Sequence, residues 1–141
     1  MTTLTRADWE QRARDLKIEG RAYINGEYTD AVSSETFECI SPVDGRLLGK
    51  IASCDAADAQ RAVENARATF NSGVWSRLAP TKRKATMIRF AGLLKQHAEE
   101  LALLETLDMG KPISDSLYID VPGAAQALSW SGEAIDKIYD E

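Results

Sequence analysis

The apolar residues of this chain change period as it is read from its start. Trp9, Ala13 and Leu16 recur at helical spacing, and Asp8 stands three residues after Thr5, as in an acidic capping box that closes a helix N-terminus. A short amphipathic helix is predicted there. In "RAYINGEYTDA", Asn25-Gly26 lies between aromatic and apolar residues, and both central positions of a type I′ hairpin turn need positive φ. A second pair of strands, in "ETFECI" and "RLLGKIAS", is joined by "SPVDG", where Pro42 and Asp44-Gly45 supply turn chemistry. The first third of the chain therefore reads as a helix followed by small antiparallel β structure.

From Asp55 the period becomes helical again. Asp55 and Asp58 occupy N-cap and N3 positions, Ala59, Ala62, Val63, Ala66 and Phe70 share one stripe, and Gly73 ends the run. This predicts a helix packed closely through its alanines. After a loop around Trp75, Pro80 suits a first helical turn, and Met87, Ala91, Leu94, Ala98 and Leu101 continue a single face until Gly110 and Pro112 stop it. A last helical region runs from about Ser114 to Glu141, with Pro122-Gly123 placed to kink or divide it. No repeat, low-complexity tract or linker separates two domains. The final "GEAIDKIYDE" stops in mid-pattern, so the chain reads as the first part of something longer.

Extending the long helical face raises a question of charge. Four residues beyond Leu101 is Glu105, and four beyond Leu104 is Asp108, so both acids continue apolar rows and are expected to be buried. Both also precede Gly110 closely, where the helix dipole disfavours an anion by about 0.3–1 kcal/mol. Lys111, an arginine from elsewhere, or a cation held by carboxylate and backbone oxygens would compensate them. The alternative is that both rotate into solvent at a frayed helix end.

Composition narrows the function classes. The chain has 141 residues and a formal charge of −5, which offers no basic patch for nucleic acid. The polar, charged start "MTTLTRADWEQ" is unlike a signal peptide, and no run approaches the ~18 apolar residues of a membrane span, so the cytoplasm is the expected compartment. Cys39 and Cys54 match no CxxC spacing and read as reduced thiols, and a single histidine, His97, excludes a His-rich zinc site. Cys54 precedes a helix N-terminus, which lowers a thiol pKa, but its acidic neighbour opposes this; it reads as an ordinary thiol, as does Cys39 within a strand. His97 falls beside an apolar face as a boundary residue.

Taken in order, "YINGEY", "TFECISPVDGRLLGKI", "DAQRAVENARATF", "KRKATMIRFAGLL" and "EELALLETLDMGKP" resemble the N-terminal segment of the NAD(P)-dependent aldehyde dehydrogenases. Within that family the resemblance runs to the bacterial enzymes acting on γ-glutamyl-γ-aminobutyraldehyde or 4-guanidinobutyraldehyde. The fold it implies is α/β: residues 1–141 would be the N-terminal part of a Rossmann-like cofactor-binding domain, a small antiparallel β region followed by packed α-helices. NAD or NADP would be the cofactor, a small-molecule aldehyde the substrate, and a homodimer or homotetramer the assembly, with neither nucleic acid nor membrane as partner.

The resemblance also implies roles for particular residues. The aspartate of "LETLD", Asp108, would hold a structural monovalent or divalent cation together with the backbone carbonyls of Cys39 and Ile40, oxygen ligands suited to a hard ion. Asp120, on the helix that lines the family's entrance tunnel, would meet the distal cation of an aminoaldehyde; alternatively it caps the helical piece after Pro122. Catalysis in the family needs a cysteine nucleophile, a glutamate base and an oxyanion-holding asparagine, found in "GQxC", "ELGGK" and "PWNFP" patterns. None of the three is in this sequence, nor is a GxGxxG loop, so neither catalytic nor cofactor-binding residues are expected here. The competing reading is a stand-alone, non-catalytic helical interaction module derived from such an enzyme.

Overall fold

The structure is a computed structural model that describes residues 4–137. Helix α1 (Arg6–Asp15) starts at the expected capping box: the Thr5 hydroxyl accepts from the Asp8 N–H, and the Asp8 carboxylate accepts from the Thr5 N–H at 2.8 Å. Strands β1 (Ala22–Ile24) and β2 (Glu27–Thr29) form an antiparallel hairpin, with Asn25 and Gly26 at φ 57° and 81° as a type I′ turn requires. Strands β3 (Thr36–Ile40) and β4 (Leu47–Ala52) form a second, separate hairpin. Its register runs from Thr36 opposite Ala52 to Cys39 opposite Gly49, then slips at Cys39/Ile40 so that Ile40 faces Leu47.

Helix α2 (Ala56–Ser72) also has its expected ends, with a capping box between Asp55 and Asp58 and a left-handed Gly73 after its last turn. Its stripe does not behave as expected. Val63 and Phe70 are 62% and 59% exposed, and the alanines between them meet no covering helix among the described residues. The pattern identified the helix, and no partner element here buries its face.

The single helix expected from Pro80 to Gly110 is two. Helix α3 (Pro80–Gln96) ends and α4 (Ala98–Met109) begins at His97, whose φ of −102° and ψ of 21° leave the helical region. The backbone hydrogen bonds bridge the break, since the His97 N–H reaches the Leu93 carbonyl and the Leu101 N–H reaches the His97 carbonyl, both at 3.0 Å. Neither glycine nor proline marks the place. The break re-aims the helix: α4 buries Ala102, Leu103 and Leu107, not the rows through Leu101 and Leu104. Glu105 and Asp108 therefore flank the buried stripe instead of lying in it.

Beyond Gly110 and Pro112 come a single helical turn, α5 (Ile113–Asp115), a π-helical turn over Ser116–Asp120, and helix α6 (Val121–Ala134). Pro122 does not divide the last helical region as expected: Asp120 and Val121 keep right-handed helical dihedrals, and the Val121 N–H reaches the Ser116 carbonyl in the π-type turn just before the proline. The part of the expected helix after residue 137 lies outside the described residues. Helices α3 and α6 pack tightly, because a Cβ on Gly132 would stand 2.9 Å from that of Met87. Ala91, Ala102, Leu103, Leu107, Val121 and Ala125, with Ala31 beside the first hairpin, are the buried apolar residues among those described. Among the described residues no helix is long and apolar enough to cross a membrane.

Candidate functional site

The end of α4 is anchored on the β3–β4 hairpin. Gly110 adopts φ 78° as the left-handed cap of α4, its N–H bonded to the Thr106 carbonyl, and a Cβ there would lie 3.0 Å from Pro42 Cγ. Only glycine meets both demands. This seat carries Asp108 to Cys39, whose thiol donates to Asp108 Oδ1 at 3.6 Å. Burial pushes the Cys39 thiol up, and the hydrogen bond to Asp108 and its charge add to this, so Cys39 is a protonated thiol and a poor nucleophile. The contact is made by the Cys39 thiol, whereas the ligands expected around a cation are the carbonyls of Cys39 and Ile40; Ile40 sits at the register slip of the same strand. Asp108 is exposed, where burial was expected.

Glu105 and Asp120, singled out separately in the sequence, share one partner. Lys111 Nζ donates to Glu105 Oε1 at 3.3 Å and to Asp120 Oδ2, joining the last turns of α4 to the end of the π-helical turn. The hydrogen bond to Asp120 holds the Lys111 ammonium above its ordinary range, partial burial opposes it, and Glu105 reinforces it. Of the compensators considered for the two acids, Lys111 serves Glu105 and leaves Asp108 alone. The Asp120 side chain makes no capping hydrogen bond to α6, so the capping alternative falls. Lys111 is held from both sides in the backbone, by the Gly110 cap and by Pro112.

Other features support this corner. Thr106 donates to the Oγ of fully buried Ser116 at 3.2 Å, tying α4 to the π-helical turn. An apolar hollow of about 400 Å³ between Ile18, Leu48, Ile51 and Leu104 opens beside Cys39, Glu105 and Asp108. A larger open groove, about 1270 Å³, runs between α1, the start of α4 and residues 110–118, past Trp9, His97 and Tyr118. His97 is exposed and lies 3.5 Å from Glu100, and Cys54 is an exposed free thiol.

Asp58 has a role that its N3 position only half disclosed. It is 2% exposed, yet it accepts from the Val32 N–H at 3.1 Å, the Asp55 N–H at 3.2 Å and Arg61 at 3.1 Å. Arg61 also reaches the Thr29 hydroxyl at 2.7 Å, so the pair fastens the first hairpin to α2. The capping motif was a signal for the local bond; the link to Val32 spans the fold and left none.

Neither nucleotide nor metal is fully housed by these residues. The Gly110 N–H is spent on α4's own C-terminus, so it is not free to bind a phosphate at "DMGKP". Among the described residues no three His, Cys, Asp or Glu side chains could hold a metal together. A cation at Asp108 would therefore need oxygen ligands from the main chain.

Two small antiparallel hairpins and a set of helices clamped at the α4 terminus make up the described fold. The sequence profile of the aldehyde dehydrogenase family matches residues 28–141. The chain belongs to that family. It is 53% identical over 135 residues to the NADP/NAD-dependent aldehyde dehydrogenase PuuC of Escherichia coli, covering 96% of this chain and 27% of that protein. It superimposes with TM-score 0.97 and 83% identity on the indole-3-acetaldehyde dehydrogenase AldA of P. syringae in complex with NAD+ and IAA, over 99% of this chain and 28% of that one. The γ-glutamyl-γ-aminobutyraldehyde dehydrogenase of Burkholderia cenocepacia gives TM-score 0.96 at 53% identity, over 98% and 28%. The chain thus spans just over a quarter of the length of these relatives, and the fold is that of the N-terminal part of an aldehyde dehydrogenase.

Proposed function

We propose that this chain is the N-terminal part of an NAD(P)-dependent enzyme that oxidises an aldehyde, an aminoaldehyde of polyamine or arginine catabolism, to its carboxylic acid. The observation that carries the reading is the 83% identity and TM-score of 0.97 to an NAD+-bound aldehyde dehydrogenase across nearly the whole chain. The present residues brace the active site without forming it: the cysteine nucleophile, glutamate base and nucleotide-contacting strands belong to the remainder of such an enzyme. Asp120 is the residue proposed to face the substrate's distal cation. Asp108, with the carbonyls of Cys39 and Ile40, is proposed to hold a structural cation; the Cys39–Asp108 contact and the adjacent register slip support that placement. The enzyme would work in the cytoplasm as a homodimer or homotetramer.

A second reading of the substrate has its own support, because the 83% identical relative is named for indole-3-acetaldehyde, an aromatic aldehyde without a cation. Steady-state oxidation of 3-aminopropanal, butanal and indole-3-acetaldehyde by the intact enzyme separates the two. The aminoaldehyde reading expects the highest kcat/KM with 3-aminopropanal; a preference for the indole aldehyde overturns it. The 141-residue chain alone is expected to reduce no NAD+ or NADP+ with any of the three.

A further inference from the structure

The acid proposed to meet a substrate cation already has one. Lys111 Nζ lies against Asp120, and the same ammonium is shared with Glu105 at 3.3 Å. The three side chains are only 26%, 30% and 34% exposed for Lys111, Glu105 and Asp120, so water screens them incompletely and their charges act on one another and on anything entering beside them. Two carboxylates and one ammonium leave a formal charge of −1 on the group. Pro112, whose ring locks its own φ, follows Lys111 directly, and the left-handed Gly110 cap precedes it.

We propose that Lys111 is a specificity-determining residue, a resident counter-cation that sets how strongly Asp120 selects a positively charged aldehyde, and that Glu105 moderates it by taking a share of its charge. This rests on the reading that Asp120 faces the substrate. A substrate ammonium approaching Asp120 meets a carboxylate whose field is partly cancelled by Lys111. Glu105 draws the lysine toward α4 and restores the net negative charge. The group thereby favours a cationic tail moderately while still admitting a neutral one.

The two flanking residues make opposite predictions, which a purely structural clasp would not. In the intact enzyme, the readout is the ratio of KM for 3-aminopropanal to KM for its uncharged isostere butanal. Lys111→Met unmasks Asp120 and is expected to lower that ratio about fivefold, whereas Glu105→Gln leaves the lysine wholly to Asp120 and is expected to raise it about fivefold. Lys111→Arg, which keeps the charge, should stay near the parent ratio. Asp120→Asn separates the layers of the argument by raising the ratio if Asp120 faces the substrate. If Asp120→Asn raises it but the Lys111 and Glu105 variants leave it unchanged or move it the same way, the counter-cation proposal is overturned and the Asp120 reading stands. If Asp120→Asn leaves it unchanged, both fall. Should Lys111→Met fail to fold, Glu105→Gln decides alone.

Discussion

Acids at the two ends of helices live differently in this molecule. Asp58, in the first turn of α2, is almost completely buried, because two backbone N–H groups, Arg61 and the positive end of the helix dipole all face it. Glu105 and Asp108, in the last turns of α4, face a negative helix end with no spare N–H groups. Neither is fully buried, and each needs a donor brought from outside its helix: Lys111 for Glu105, the Cys39 thiol for Asp108. A carboxylate at a helix N-terminus can be satisfied largely by the backbone. At a C-terminus it recruits a partner, and the partner then ties two elements together.

Deleting the N-terminal acid should have the largest effect. Asp58→Ala strands the buried Val32 and Asp55 N–H groups, while half-exposed Arg61 keeps Thr29 and water; the two orphaned donors should cost about 3 kcal/mol in denaturant unfolding. Asp58→Asn should recover part of that loss, since its amide oxygen still accepts. A change for Asp58→Ala no larger than that for Glu105→Ala would break the comparison, because the buried, backbone-satisfied acid would then matter no more than the half-exposed one.

The end of α6 offers a third case, and pH tests it. Lys84 of α3 holds Glu133 at 2.7 Å and Asp136 at 3.1 Å. Hydrogen bonds from Lys84, and secondarily from Lys137, hold both carboxyls below their ordinary 4.5 and 3.8. Groups whose folded pKa is depressed stabilise the fold fully above the unfolded values and lose that contribution as pH falls through the folded ones. The clasp should therefore be intact above about pH 5 and weaken progressively below about pH 4. Lys84 is shifted upward by the same bonds, so its contribution holds below 10.5 and fades only in stronger alkali. The melting temperature of Lys84→Met should fall less steeply than that of the parent from pH 5 to pH 2. Parallel curves would show that the α3–α6 ion pairs contribute nothing beyond the apolar packing around Gly132.

These contrasts mark what the sequence could disclose. Caps, hairpin turns and helix stops were legible because Thr5, Asn25-Gly26, Asp55, Gly73 and Gly110 act on their own neighbours, within reach of a short window. The break at His97 was not, since the hydrogen bonds continue across it and no residue there forbids a helix. Carrying the α3 stripe through that break is what made Glu105 and Asp108 look buried. The meeting of Cys39 with Asp108 spans 69 residues and entered only through family resemblance. The Lys111 bridge to Asp120 could have been suspected from a lysine near two acids, but choosing Glu105 over Asp108 took the π-helical turn, which places Asp120 on the Glu105 side.

Asp108 is the sharpest case left, and the smallest expected effect. It has the unfavourable helix end of Glu105 without a lysine, and among the described residues its single donor is a weak thiol at 3.6 Å. Were the thiol its whole compensation, removing the carboxylate would relieve the dipole clash about as much as it lost a hydrogen bond, and Asp108→Ala would be close to neutral in every salt. A cation shared with the carbonyls of Cys39 and Ile40 changes that expectation, because an ion bound only by the folded state stabilises it in proportion to the logarithm of its concentration. The intact protein should then melt higher in KCl than in tetramethylammonium chloride of equal strength, whose bulky cation cannot enter. Asp108→Ala should melt alike in both and lie below the parent only in KCl, by about 1 kcal/mol or less. Equal melting of the parent in the two salts would leave Asp108 as the acceptor for Cys39 and nothing more.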